Sequence, residues 1–559
     1  MLTRRGAFSL VPAVAALLSE GIGEAQQPAP TPRIARDQIR TALTTLGLDF
    51  PDAQIDMMIP NVNQALARME SLRAIDIPLD TPPAFHFRAP LPGLEPKPRP
   101  SKFAPTKSKK LSSFKSVEEV AFWPVTKLAP LVKARKLRSR ELTEMYLARI
   151  KKYSPQLLNV VTITEKTALE QADAADKEIR SGHYKGPLHG IPYGAKDLFA
   201  FQAYKTTWGA EPYRDQVIPY NATIIDRLNQ AGAVLVAKTS MGALAQGDRW
   251  FAGVTKNPWN IEEGSSGSSA GSASGTVAGL FGFSIGTETL GSIISPSTRC
   301  GATGLRPTFG RVSRHGAMAL SWTMDKIGPI CRSAEDCALV LRAIQGPDNK
   351  DVTVFDAPFD WQPAKPWKSM RIGMVEADFA RATGPTKDML SASLDALRSA
   401  GAKLEPVTLP TMEYDPLRVI LSAEAAAAFD DITRDRRVET LSGQAPGDWP
   451  NSFRSSRVLS AVEYVRASRA RTLLQRTMHD FMSQWDCIVA PYNSPLLVIT
   501  NFTGHPQVCV PIGYIDGKSP VSLTFLGRLF EEGSPLRVAH GFQQATKWHE
   551  MNPPMNWVV

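Results

Sequence analysis

Cysteine is scarce. The chain has five in 559 residues (Cys300, Cys331, Cys337, Cys487, Cys509), too few and too scattered for a disulfide framework, and an odd number leaves at least one thiol free. They are expected to be buried small hydrophobes. Cys331 and Cys337 lie six apart with no second pair, and the eight histidines form no HExxH and no paired ligand spacing. No structural or catalytic metal is therefore expected. Long apolar runs are also missing: none approaches the roughly 20 residues that a spanning helix needs, so no stable membrane span is expected. The formal charge is +10, a balance that raises nucleic acid or an anionic surface as partners. Its location answers the question. Seven basic residues against one acid fall between Glu95 and Lys115, and the remaining chain is nearly neutral. With no aromatic-interleaved basic face, zinc-finger spacing or heptad beside it, nucleic-acid binding by the main body is not expected.

What is present is 43% apolar residues over a length sufficient for one large catalytic domain with an appendage. Residues 1–25 read as an export signal. Arg4-Arg5 precede an apolar heart from Phe8 to Leu18, then Gly23-Glu24-Ala25, a small-x-small cleavage pattern. The paired arginines suit twin-arginine export, and the protein is expected in the periplasm or secreted. Residues 26–81 read as a helical arm, with Ile34, Ile39, Leu43, Ile55, Met58, Val62, Leu66 and Met69 at helical spacings. Residues 82–115 hold eight prolines among the lysines, a density that predicts an extended, solvated linker.

From Ser116 the texture changes to helices alternating with short apolar strands. Ser139 opens a helix whose Leu142, Met145, Tyr146 and Ile150 share a face; Thr223 to Gln230 leads through Gly232 into Val234 to Ala237; a further unit runs from Asp388 to Leu404. Helix then strand, repeated, predicts an α/β fold over residues 116–550.

Residues 264–287, GSSGSSAGSASGTVAGLFGFSIGT, contain no charge and are dense in Gly and Ser. A flexible linker of that composition belongs between domains, whereas this stretch sits inside a patterned region. Glycines admit close backbone approach to a ligand, and serine hydroxyls supply a nucleophile and a relay. A nucleophilic serine needs a base. No Ser-His-Asp order is apparent, but Lys196 follows an apolar, Gly-rich approach in HGIPYGAKD (189–197). Desolvation lowers a lysine's pKa and makes a neutral amine available near pH 7. The competing reading is a surface Lys196–Asp197 salt bridge.

The combination resembles the amidase signature family. The resemblance rests on HGIPYGAKD, NPWN (257–260), SGSSAGSASGTVAGL (266–280), GTETLGSI (286–293), CGATGLRPTFGRVSRHG (300–316), DKIGPICRS (325–333), NFTGHPQVCVPIG (501–513) and PVSLTFLGRLFEE (520–532). It implies one large α/β domain with a mixed central sheet flanked by helices. It also implies a Ser-Ser-Lys triad: Lys196 as base, Ser268 as relay after a cis Gly267–Ser268 peptide, and Ser292 as nucleophile. The amides of Thr289, Leu290, Gly291 and Ser292 would form the oxyanion hole, and Met241, in AKTSMGALAQGD, would contact substrate. No cofactor is implied, because Ser-Lys acyl transfer needs none.

The chain departs from the family pattern GTDTGGSIR. Leu290 replaces a glycine, which is costly if that position has positive φ. Glu288 replaces aspartate and Ile294 stands where arginine is frequent, so a less polar shell around the nucleophile is expected. The expected activity is hydrolysis of a small-molecule carboxylic amide through an acyl-enzyme, with esters and carbamates sharing the same tetrahedral intermediate. Two alternatives stand beside it: the amide-hydrolysing subunit of a tRNA-dependent amidotransferase, which the export signal opposes, and a non-catalytic binding protein on an amidase scaffold. The oligomeric state is open, a homodimer included.

Overall fold

The computed structural model describes residues 33–73, 81, 86–107, 111–367 and 369–557. The expected export signal lies outside them. The chain divides into two compact units, Met1–Ile77 and Pro78–Val559.

In the first unit two helices, Arg36–Thr45 and Asp52–Arg73, carry the expected periodic apolar residues. Ile39, Leu43 and Ile55 are buried, with Ile34, Met58 and Val62 packed around them. Gln38 accepts a hydrogen bond from the Ala35 amide at 2.8 Å, and Asn63 brackets Ile34 by donating to its carbonyl and accepting from its amide, both at 3.0 Å. These polar contacts fix the helix start that the apolar stripe alone leaves loose.

The second unit is built on a mixed sheet. Among the described residues it has eleven strands, in the order Val160–Ile163, Val234–Thr239, Pro192–Lys196, Phe283–Glu288, Lys326–Cys331, Thr303–Arg306, Gln507–Ile515, Ser519–Leu526, Cys487–Pro491, Ile372–Val375 and Leu404–Val407. Pro192–Lys196 runs parallel to both its neighbours, as does Ile372–Val375 to its own. The middle of the sheet is antiparallel. Both faces are covered by helices, so the central strands are buried along their whole length: each residue of Pro192–Lys196, Val234–Thr239, Phe283–Glu288 and Lys326–Cys331 is buried. This explains why their sequences do not alternate polar with apolar.

The expected helices at Ser139–Leu157, Thr223–Gln230 and Gly384–Ser399 are present. Ser139 is the first helical residue rather than the cap. Arg138 holds the cap position, its amide donating to Glu141, while the Ser139 hydroxyl donates to the Gly190 carbonyl at 2.9 Å. The five cysteines are free and buried. Among the described residues no helix is long and apolar enough to cross a membrane, and no cluster of His, Cys, Asp or Glu could hold a metal ion.

The proline-rich stretch exposes Lys97, Arg99, Lys102 and Lys107 as its composition suggests, but it is no free linker. Residues 86–107 form no helix, as the prolines require, but they run as a strap fastened to the body. Phe87 packs edge-on against Phe309, and Gln475 donates to the carbonyls of Arg88 and Ala89. Arg99 donates twice to Asp360, at 3.0 and 2.8 Å, and Lys102 and Ala104 exchange backbone hydrogen bonds with Trp361. Prolines remove donors only at their own positions. The residues between them keep theirs, and the body offers partners.

Candidate active site

Lys196 is the last residue of Pro192–Lys196, and the parallel strand beside it, Phe283–Glu288, ends at the loop that carries Ser292. Base and loop thus share the carboxyl edge of parallel strands, where open α/β sheets place their ligand sites. The loop cannot continue the sheet, because Gly291 takes φ +106°, a conformation closed to side-chain-bearing residues.

The Lys196 side chain is fully buried. Its Nζ donates to the hydroxyls of Ser268 and Thr287, each at 2.8 Å. Neither partner carries charge. Burial pushes the amine down to about 7, against a weaker upward pull from Asp325 and Glu288. Near neutral pH a substantial fraction of Lys196 is therefore the free amine, which can accept a proton.

Ser268 follows a cis peptide from Gly267. A Cβ on Gly267 would sit 1.8 Å from the Gly247 carbonyl oxygen, so only glycine fits there. The next residue locks the geometry: Ser269 Oγ donates to the Thr287 carbonyl and accepts from the Thr287 amide, both at 3.1 Å, while its own amide donates to the Ser292 carbonyl at 3.1 Å. Ser268, Thr287 and the Ser292 backbone are bound into one unit this way. Further serines of the Gly/Ser run are structural: Ser272 donates to Ile285 and Ser274 to Lys256. They stitch the small-residue helix Ala270–Val277 to its surroundings.

The amides of Leu290, Gly291 and Ser292 donate to no acceptor among the described residues, leaving them free for a ligand oxygen. Thr289, the fourth expected donor, is gripped from below: its hydroxyl donates to Asp325 at 2.6 Å and its carbonyl faces Lys326 Nζ at 3.5 Å. Leu290 is not among the positive-φ residues, so its substitution for glycine brings no left-handed strain.

The expectation of a less polar shell fails at Glu288. This buried carboxylate accepts from Arg306 at 2.7 Å, from Asn501 at 2.8 Å, and from the amides of Ile293 and Ile294, both at 2.9 Å. Arg306 in turn donates to Thr500 and to the His505 carbonyl. Burial alone would raise the Glu288 pKa, but these partners hold it below the usual carboxylate range. The extra methylene of Glu288 reaches two amides just past Ser292, and Arg306 supplies the charge that Ile294 cannot.

The Lys196–Asp197 salt bridge does not form. Asp197 pairs with Lys238 at 2.7 Å, both side chains buried, and accepts from the Thr207 amide at 2.9 Å. Met241, expected against substrate, is fully buried in the core. It is absent from the walls of the cavity that opens at Thr287 and Thr289, which is lined instead by Leu198, Met318, Leu320 and Trp322. Sequence reasoning missed Thr287, Asp325, Arg306, Asn501 and this wall. For Thr287 a signal existed, since it lies in the same motif as Ser292. Asn501 opens the motif at 501–513, but 213 residues separate it from Glu288 and no local spacing joins the two.

With this geometry in view, the chain can be set beside known proteins. Residues 141–498 match the family model for amidases. This chain belongs to the amidase family. A glutamyl-tRNA(Gln) amidotransferase subunit from Marinomonas sp. (strain MWYL1) is 34% identical over 485 residues, 77% of this chain and 98% of that protein. The native peptide amidase of Stenotrophomonas maltophilia is a structural match with TM-score 0.69 and 29% identity, covering 78% of this chain and 99% of that one. An inhibitor-bound structure described as revealing the evolutionary origins of an s-triazine catabolic enzyme matches with TM-score 0.68 and 26% identity, over 76% and 98%. This amidase is a hydrolase of amide C–N bonds on a mixed-sheet α/β fold.

Proposed function

We propose that this amidase hydrolyses a carboxylic amide through an acyl-enzyme on Ser292. The observation that carries the reading is the buried, carboxylate-free amine of Lys196 at 2.8 Å from Ser268. An amide carbonyl is a poor electrophile, so the site must activate the nucleophile, hold the oxyanion and protonate the departing amine. Neutral Lys196 takes the Ser268 proton as Ser268 takes that of Ser292, and Ser292 Oγ attacks the carbonyl carbon. The oxygen's new charge falls to the amides of residues 289–292. Collapse breaks the C–N bond, and the proton returns through Ser268 to the leaving nitrogen. Water then repeats the sequence and releases the acid. A fluorophosphonate probe with peptide mapping tests this: labelling of Ser292 is expected, and full hydrolysis by Ser292→Ala overturns it.

The 34% identity to a glutamyl-tRNA(Gln) amidotransferase component favours a second reading, in which the same chemistry serves an enzyme of that kind. Amide hydrolysis by the purified chain alone supports the first reading; turnover only with added partner proteins and tRNA supports the second. The N-terminal Arg4-Arg5 pattern supports export to the periplasm or beyond, which cell fractionation tests directly.

A further inference from the structure

Large aliphatic side chains stand in water along one helix of the second unit. Val462, Val465 and Leu473 of the helix Ala461–Ser483 are 73%, 55% and 61% exposed, and Val458 just before it is 58% exposed. Arg466, Arg469 and Arg476 are exposed on the same helix. At about 100° of rotation per residue, the three aliphatic residues and the three arginines fall within an arc of about 100°, a single stripe. The outer face of a solvated helix ordinarily carries polar residues and charges of both signs. Here it is aliphatic and cationic: Glu463 lies at the side of the stripe and Asp480 one turn beyond Arg476, and none of the three arginines has an ion-pair or hydrogen-bond partner among the described residues. The helix cannot roll to hide this face. Leu474, Met478 and Met482 are buried on the opposite side, where Arg471 donates to the Thr323 hydroxyl at 2.9 Å and to its carbonyl at 2.8 Å, and Gln475 donates to the carbonyls of Arg88 and Ala89 at 2.8 and 3.0 Å.

From this we infer that the outer face of Ala461–Ser483 docks the protein on an anionic lipid surface. The arginines bind headgroup phosphates, and Val462, Val465 and Leu473 enter the boundary between headgroups and acyl chains. Charge selects the partner: unpaired arginines call for a negative surface, and a second copy of this chain would set arginine against arginine. Shape and extent select lipid over protein. Six side chains on one convex helix are far fewer than the roughly 20–30 residues a side that a stable protein interface uses. A bilayer surface needs no matching groove, and an arginine can lay its stem among acyl chains while its head stays at the phosphates. Among the described residues no helix is long and apolar enough to cross a membrane, so this one would lie in the plane of the surface. The exposed Lys97, Lys102 and Lys107 of the strap are also cationic but stand among prolines, with no aliphatic stripe beside them.

The test is co-sedimentation of the full chain with vesicles of phosphatidylcholine alone and of phosphatidylcholine with phosphatidylglycerol. Binding to the anionic vesicles is expected to be about 10- to 100-fold stronger and to weaken as salt rises. Arg466→Gln, Arg469→Gln and Arg476→Gln together are expected to lower it about 10-fold or more, and Val462→Ser, Val465→Ser and Leu473→Ser together by a similar factor. Lys97→Gln, Lys102→Gln and Lys107→Gln remove the same charge from the strap and are expected to change it less than about threefold. Because the five native cysteines are buried, a nitroxide on Leu473→Cys reports the stripe alone: on anionic vesicles it should become more accessible to dissolved oxygen and less accessible to a water-soluble nickel complex. Equal binding to both kinds of vesicle overturns the inference, as does a loss with the strap variant as large as that with the arginine variant. Binding that survives both helix variants would place the contact elsewhere, such as Phe8 to Leu18, and overturns it too. A nitroxide at 473 that stays in water on bound protein overturns it independently of how the multiple variants fold.

Discussion

Lys196 and Lys238 stand on neighbouring parallel strands, with Lys238 in register with Ala195, and both side chains are withdrawn from water. Burial pushes both amines down. They differ in company. Lys238 touches the Asp197 carboxylate at 2.7 Å and donates to the Lys205 carbonyl at 2.7 Å and the Thr206 hydroxyl at 2.6 Å. Lys196 touches two hydroxyls and no carboxylate. Of these two, the lysine with a counterion ties elements together, and the one without is free to act as a base. The distinction lies in a few ångströms of surroundings, since both residues come from similar apolar strand sequences.

Removing the base should break this comparison most visibly. Lys196→Ala is expected to lower kcat/KM for an amide by about 10³-fold, and by less for an ester, whose leaving group needs less protonation. Wild-type kcat/KM should rise with pH through about 7 and level off above it, because the deprotonated amine is the active form. That limb should vanish in Lys196→Ala, and a pH–rate profile of both proteins checks it.

Asp197→Asn is the counterpart at the structural lysine. It strands the Lys238 charge in the interior and is expected to cost about 3–5 kcal/mol in urea-unfolding stability, with kcat per folded molecule affected far less than by Lys196→Ala. Glu288→Gln, which replaces an acceptor of four hydrogen bonds with a side chain that must donate at one oxygen position, is expected to lower kcat about 10- to 100-fold with little change in KM. Steady-state kinetics on one amide distinguishes this loop effect from lost substrate binding.

A smaller effect sharpens the thermodynamic side. Folding forces Lys196 to release a proton that the unfolded chain keeps up to about pH 10.5. Stability from this residue therefore rises with pH between about 7 and 10.5. Lys196→Met is expected to stabilise the protein by about 1–3 kcal/mol at pH 7, the gain shrinking toward pH 10, as read from denaturation at both pH values. The smallest effect is expected from Leu290→Gly: since Leu290 has no positive φ, glycine relieves nothing, and activity should stay within about threefold.

Much of the frame was legible in the sequence. Helical spacing marked Ser139–Leu157 and Thr223–Gln230, and the apolar run after Gly232 marked the strand Val234–Thr239. The Gly/Ser segment declared a site because no linker belongs in its position. The resemblance named Ser268 as the partner of Lys196; that Ser269, Ser272 and Ser274 hold backbone instead was hidden, because it depends on how the segment turns after Gly267. The strap was hidden for a similar reason. Proline content dictates an extended path, but whether that path swings free or is fastened depends on what lies beneath it, here Phe309, Asp360, Trp361 and Gln475.

The sequence by itself determined the classes of chemistry available: a lysine on an apolar approach, serines among glycines, no metal-ligand spacing, and a periodicity that alternates helix with strand. Those are local properties, set by side-chain type and spacing along a few turns of chain. Only the tertiary structure decided that Lys196 stands without a counterion while Lys238 has one, how Glu288 steadies the nucleophile loop and what lines the cavity beside it. Each of those depends on burial and on partners from distant segments, such as Asn501 for Glu288 or Thr287 for Lys196. A charge's behaviour is governed by the dielectric and counterions around it, and these exist only once the chain has folded.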